Sequence, residues 1–129
     1  MFQARRQKSL PDTVVEAGKA DGFVHVCEQS ALLFGSDRGE PTTRRPVVAV
    51  RPDGNRYVVL PCTSHDKTNF PDFFELSDKR VMWTRPPNGQ KSFACSRYEV
   101  VSAEHLVGKI GLMPQPARIE LLAWLKTRY

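Results

Sequence analysis

Arg44-Arg45-Pro46-Val47-Val48-Ala49-Val50, followed by Arg51-Pro52-Asp53-Gly54-Asn55 and then Arg56-Tyr57-Val58-Val59-Leu60-Pro61-Cys62-Thr63-Ser64, is the stretch that decides the fold. Two valine-rich runs joined by Pro-Asp-Gly-Asn read as adjacent antiparallel strands, both mostly buried. A hairpin returns the chain to where it began. Arg44 and Arg45, before the first run, therefore meet Thr63 and Ser64, after the second, at one end of the sheet. A guanidinium and hydroxyls brought together in this way make a candidate site.

The rest of the composition sets bounds on that site. At 129 residues the chain makes one ordinary domain, able to bury a core without disulfides or a metal. We expect a single domain over residues 21–129, preceded by a basic arm at 1–20 that carries Arg5, Arg6, Lys8 and Lys19 against Asp12 and Glu16. The net charge of +5 favours an anionic partner such as nucleic acid or an acidic protein segment. No apolar run approaches the roughly 20 residues needed to span a bilayer, and the polar start has no signal-peptide stretch. The expectation is a cytoplasmic protein with no membrane partner. Cys27, Cys62 and Cys95 lack CxxC spacing, and His25, His65 and His105 lack ligand spacing. We therefore expect buried thiols, no metal site and no cofactor.

Outward from the hairpin, 22–27 reads as a strand with Val24 and Val26 on one face and His25 on the other. Residues 73–77 and 81–84 read as a second hairpin turning at Asp78-Lys79, with Trp83 as a core anchor. One strand is expected through 92–101, then a single helical turn over 103–107, capped by Ser102 and stopped by Gly108. From Ala117 onward, Ile119, Leu121, Leu122, Ala123, Trp124 and Leu125 form an apolar stripe at helical spacing, with Pro116 suited to the first turn.

The order of these pieces resembles the MazF/PemK family of bacterial toxins. The residues that carry the resemblance are Gly22-Phe23-Val24-His25-Val26, Arg45-Pro46, Pro61-Cys62-Thr63-Ser64, Lys91-Ser92-Phe93 and the segment from His105 to Lys109-Ile110-Gly111. The resemblance implies a mainly β, SH3-like barrel of five to seven strands (MazF/PemK/CcdB-like) with the C-terminal helix packed against it. It further implies a growth-inhibiting toxin, partnered by a cognate antitoxin and able to form a homodimer, that cleaves single-stranded RNA without a metal. In that reading Arg45, Thr63 and Ser64 are catalytic; His65, next to Ser64, is a candidate proton acceptor by its position alone, outside the family pattern. Where several members carry an Arg-x-Asp pair, this chain has Ala94 and Ser96. The gyrase poison CcdB looks like a related solution, but its Trp-Gly-Ile tail is missing here.

Two further groups are candidates. Arg38, Arg44, Arg51 and Arg56 lie beside the hairpin and suggest a groove that tracks phosphates. Gln29, Leu32, Leu33 and Phe34 resemble the peptide by which bacterial proteins dock on the β sliding clamp, a motif that links this chain to SocB-like toxins. A glutamine followed by large apolar side chains in a loop suits such docking if the loop stands in solvent; the competing reading is a short helix or strand tucked under the barrel, with Leu32 or Leu33 in the core. That gives an alternative function: a non-enzymatic toxin that blocks DNA replication.

Overall fold

The valine runs pair as the sequence requires. In the computed structural model, which describes residues 22–36, 43–84 and 92–129, strand β2 (Arg44–Asp53) runs antiparallel to β3 (Arg56–Thr63). Val47 faces Pro61, Val48 faces Leu60 and Ala49 faces Val59. The turn is tighter than expected. Asp53 still pairs with Arg56, which leaves Gly54-Asn55 as the loop, with Gly54 at φ 66°. Pro52 is tolerated in the strand because β1 (Phe23–Glu28) covers β2 only from Arg44 to Val48, so Pro52 sits on an open edge. The register shifts between Ala49 and Arg51, which makes Val50 a bulge residue that turns into the core beside Val48.

The remaining strands extend this hairpin in both directions. They are β4 (Phe73–Glu75), β5 (Met82–Trp83), β6 (Phe93–Cys95), β7 (Glu99–Ser102) and β8 (Leu106–Leu112). The sheet order is β4-β6-β3-β2-β1-β8-β5, with β7 also paired to β3. Among the described residues eight strands replace the expected five to seven, and the two ends of the path do not pair, so the sheet is barrel-like but not closed.

Three expectations are corrected here. The second hairpin does not form: β4 pairs with β6 and β5 with β8, at opposite ends of the sheet. The chain between them crosses under the barrel, with Leu76 and Val81 buried and Arg80 donating to the Glu75 carbonyl. The strand expected through 92–101 breaks at Ser96-Arg97. It pairs with the end of β3 through Phe93 and Ala94, then with the start of β3 through Glu99 to Ser102, and the Tyr129 hydroxyl donates to the Ser96 carbonyl at the bend. The turn after Ser102 is a 3-10 turn that ends at His105 without a side-chain cap, and Gly108 lies inside β8 rather than stopping a helix.

Helix α1 (Gln115–Lys126) carries Pro116 in its first turn and buries Ala117, Leu121 and Leu125 at intervals of four against the inner face of the sheet. Ile119 and Ala123 face away and are exposed. Trp124 packs beside Phe74 and donates its indole N–H to the Pro71 carbonyl. Trp83 packs partly buried against this inner core.

The sheet is apolar on both faces. A second, outer cluster of Cys27, Leu32, Val47, Val59 and Val101 is covered by Ala31, Tyr57 and Leu106. His25 is buried on β1, with Phe23 and Tyr57 as ring neighbours. Among the described residues no helix is long and apolar enough to cross a membrane. The arm expected at 1–20 lies outside the described residues.

Candidate functional site

Val47 pairs with Pro61, so Arg45, two residues before the one, and Thr63, two after the other, come to the same end of the hairpin. Both are buried, at 8% and 3% exposure. A buried guanidinium must have its N–H groups satisfied. Arg45 donates through Nε to Gln29 Oε1 (2.7 Å) and through Nη1 to the carbonyl of Cys62 (2.9 Å), the residue before Thr63. Its guanidinium carbon lies over the Phe34 ring, 4.9 Å from the ring centre. Gly35, at φ 79°, makes room for this packing: a Cβ there would stand 2.5 Å from Arg45 Nη2.

Arg45 is thus the post to which loop 29–35 is tied. Gln29 completes the tie by donating its amide to the Phe34 carbonyl (2.7 Å). From β7, the Glu99 carboxylate accepts both the Leu33 N–H (2.8 Å) and the Phe34 N–H (2.9 Å). Sequence reading missed Glu99, which sits 66 residues from Leu33. The docking peptide expected at Gln29 to Phe34 is therefore not held out in solvent. Leu32 is 4% exposed in the outer core and the Gln29 amide is engaged at both ends, which leaves Leu33, at 81%, as the outward side chain.

On the Thr63 side the chemistry faces outward. Thr63 Oγ1 accepts the His65 backbone N–H (3.2 Å), a side-chain turn that bends the chain off β3 and leaves Ser64 and His65 exposed. The loop 64–72 that follows is pinned at several points. Asp66 Oδ1 accepts from the Thr68 backbone (3.0 Å) and hydroxyl, and the Pro71 carbonyl accepts from Trp124 and Arg128. Ser96 N–H donates to the Asp72 carbonyl. Lys67 stands within this loop beside the rings of Phe70 and Phe73.

The proposed phosphate groove is dispersed. Arg44 is at the site end, where it lines a depression with Glu28, Gln29, Ser30 and Thr43. Arg51 and Arg56 flank the turn, six or so residues down the strands and thus about 20 Å away, and Arg56 pairs with Asp53 (3.5 Å). Arg38 lies outside the described residues. Ala94 and Ser96 are both buried in the β6 region, and Ala94 is fully enclosed in the inner core.

The thiols are buried as expected. Burial, reinforced by Glu99 and Glu28, pushes Cys27 up to about 11, and burial pushes Cys62 up to about 12 against the lowering effect of a Ser92 hydrogen bond. Such thiols are neutral and unreactive near neutral pH. Among the described residues no three His, Cys, Asp or Glu side chains converge as a metal site would require.

No protein-family model matches the sequence, and no curated protein matches it at a significant level. Solved structures do match. The fold is similar to that of the Mycobacterium tuberculosis toxin MazF-mt6, with a TM-score of 0.52 and 16% sequence identity, over 81% of this chain and 96% of that one. A likeness at this identity establishes the architecture: a mainly antiparallel, barrel-like sheet with a C-terminal helix.

Proposed function

We propose that the chain is the toxin of a bacterial toxin–antitoxin pair and acts as an endoribonuclease on single-stranded RNA. The observation that carries the reading is the hydrogen bond from the Arg45 guanidinium to the carbonyl of Cys62, the residue that leads into the Thr63-Ser64-His65 turn, on a fold similar to that of a MazF toxin. A cognate antitoxin and a homodimer belong to the same reading.

The reaction is an internal transfer. The ribose 2′-oxygen attacks the adjacent phosphorus, the bond from phosphorus to the 5′-oxygen breaks, and the products end in a 2′,3′-cyclic phosphate and a 5′-hydroxyl. It needs one group to take the 2′ proton, one to return a proton to the leaving oxygen, and positive charge over the phosphorane. Hydroxyls are poor bases, so Ser64 suits positioning of the 2′-hydroxyl, while Thr63 holds the turn that presents Ser64 and His65. The exposed imidazole of His65 is suited to take the 2′ proton, and the water at this exposed turn supplies the proton that the leaving 5′-oxygen takes up. Arg45 supplies its charge from beneath. Anchored by Gln29 and the Cys62 carbonyl, it has a fixed orientation and needs no reorganisation as charge develops.

The test is product analysis by mass spectrometry on a single-stranded RNA oligonucleotide, with and without a 2′-deoxy substitution at the cleaved nucleotide. Cyclic-phosphate ends that vanish with the deoxy substitution are expected. Cleavage that is indifferent to the missing hydroxyl, or no cleavage at all, contradicts the reading.

A further inference from the structure

We infer that Phe70, with Lys67 behind it, is a stacking platform for an unpaired base of a single-stranded RNA, on the loop that leaves Thr63. The inference deepens the reading above by naming a binding residue that neither the hairpin nor the resemblance pointed to.

Phe70 is 54% exposed, an unusual position for a large aromatic in a loop that is otherwise polar. The loop does not bury it because it is pinned elsewhere. Phe70 N–H donates to the Lys67 carbonyl (3.0 Å), Phe73 N–H donates to the Phe70 carbonyl (3.1 Å), and the Pro71 carbonyl takes hydrogen bonds from Trp124 and Arg128 on the C-terminal helix and its end. An exposed ring on a fixed backbone binds without the entropy cost of ordering a loop. The Lys67 ammonium lies 5.1 Å from the centre of the Phe70 ring and 5.2 Å from that of Phe73. Aromatic faces with a cation among them are the elements by which proteins hold single strands: the ring takes the base and the cation takes the phosphate beside it. Duplexes keep their bases stacked on one another and offer no free face.

The platform also lies at a useful distance. Glu75 pairs with Phe93, which pairs with Thr63, and Phe73 pairs with Cys95 two residues along. Phe73, joined to Phe70 by the turn between them, therefore stands two strand spacings, about 10 Å, across the sheet and two residues, about 7 Å, along it from Thr63. A phosphate at the Thr63-Ser64 turn would leave a neighbouring nucleotide over this part of the surface.

The test uses fluorescence anisotropy with a labelled, fully 2′-O-methylated single-stranded RNA, which cannot be cleaved. Binding is therefore read independently of catalysis. Phe70→Ala should weaken binding about ten-fold, in the range of a lost base stack, while Phe70→Trp should bind at least as well as the wild type. Lys67→Gln should flatten the dependence of log affinity on log salt by about 0.7, one phosphate contact to a single strand. Because Phe70 is half exposed, melting temperatures should stay close to that of the wild type, and a matched RNA duplex should lose nothing on Phe70→Ala. Wild-type binding that survives Phe70→Ala unchanged, or a wild type with no affinity for the single strand, overturns the inference. A wild type that binds through Phe70 yet cleaves no RNA would leave the platform standing and overturn the ribonuclease reading alone.

Discussion

Two loops stand at the same end of the sheet, one leaving β1 beside Arg44 and the other leaving β3 after Thr63, and they use their residues in opposite ways. Loop 29–35 is rich in apolar side chains, and it folds back on the sheet: Leu32 enters the outer core while Gln29, Arg45 and Glu99 satisfy the groups around it. Loop 64–72 is polar, and it presents Ser64, His65 and Phe70 to solvent from a backbone fixed at both ends. The difference teaches that exposure here is decided by where buried charge finds partners. Arg45 is too costly to bury alone, so the loop that supplies its hydrogen bonds is drawn in, and the loop with no such demand remains outside.

The sharpest break of this contrast is Arg45→Ala. It leaves Gln29 Oε1 and the Cys62 carbonyl without their charged donor, at roughly 1.5–3 kcal/mol for each such bond. A loss of about 3 kcal/mol or more in unfolding free energy is expected from urea titration, together with loss of RNA cleavage. Arg45→Lys keeps the charge but not the fork, and should recover part of the activity and little of the stability. A variant as stable as the wild type would show that the post is not structural.

The adjacent leucines give a finer comparison within one loop. Leu32→Ala should cost about 2–5 kcal/mol, as deletion of a core leucine does. Leu33→Ala, one residue on, should stay within about 0.5 kcal/mol. Equal effects would mean that the loop is not folded against the sheet as described, and would reopen the possibility that its leucines serve a partner.

How far the sequence could be read follows the same line. The hairpin and the meeting of Arg45 with Thr63 were legible because long valine runs and a strong turn signal fix a register, and register alone brings strand ends together. The strands β4 and β5 were not, since three and two residues are too few to carry a period. Their apparent hairpin arose from a turn at 77–80 that in fact begins a crossing under the barrel. Leu32 and Leu33 are identical as letters, and nothing local says which is buried. Glu99 could not be found at all, because its role depends on a β7 that bends away from β6 to bring a carboxylate to amides far off in sequence. Phe70 carries no signal in the sequence, because its exposure depends on hydrogen bonds to Pro71 from the C-terminal helix.

Glu99→Gln sharpens the contrast at a smaller scale. One of its two acceptors becomes an NH₂ group aimed at a backbone N–H, so roughly 1.5–3 kcal/mol should be lost, with faster amide exchange confined to Leu33 and Phe34 and their neighbours. Exchange that quickens in loop 64–72 instead would contradict the division of labour. The thiols add an alkaline signature. Cys27 and Cys62 titrate higher in the fold than the ordinary thiol value of about 8.5. Above that value the unfolded chain holds fewer protons than the native one, and the contribution to stability, intact below it, should decline as pH rises toward 11. Substituting alanine for Cys27 should blunt the decline, and a thiol reagent at pH 8 should react only as fast as the protein opens.

The most direct measurement is the single-turnover rate of RNA cleavage by His65→Ala, taken beside its urea midpoint. His65 is exposed, so stability should be unchanged, while removal of the group that moves the 2′ proton should slow cleavage by about 10²- to 10⁴-fold. A His65→Ala protein that is equally stable and cleaves at the wild-type rate would contradict the assignment of the outward-facing turn as the seat of the chemistry.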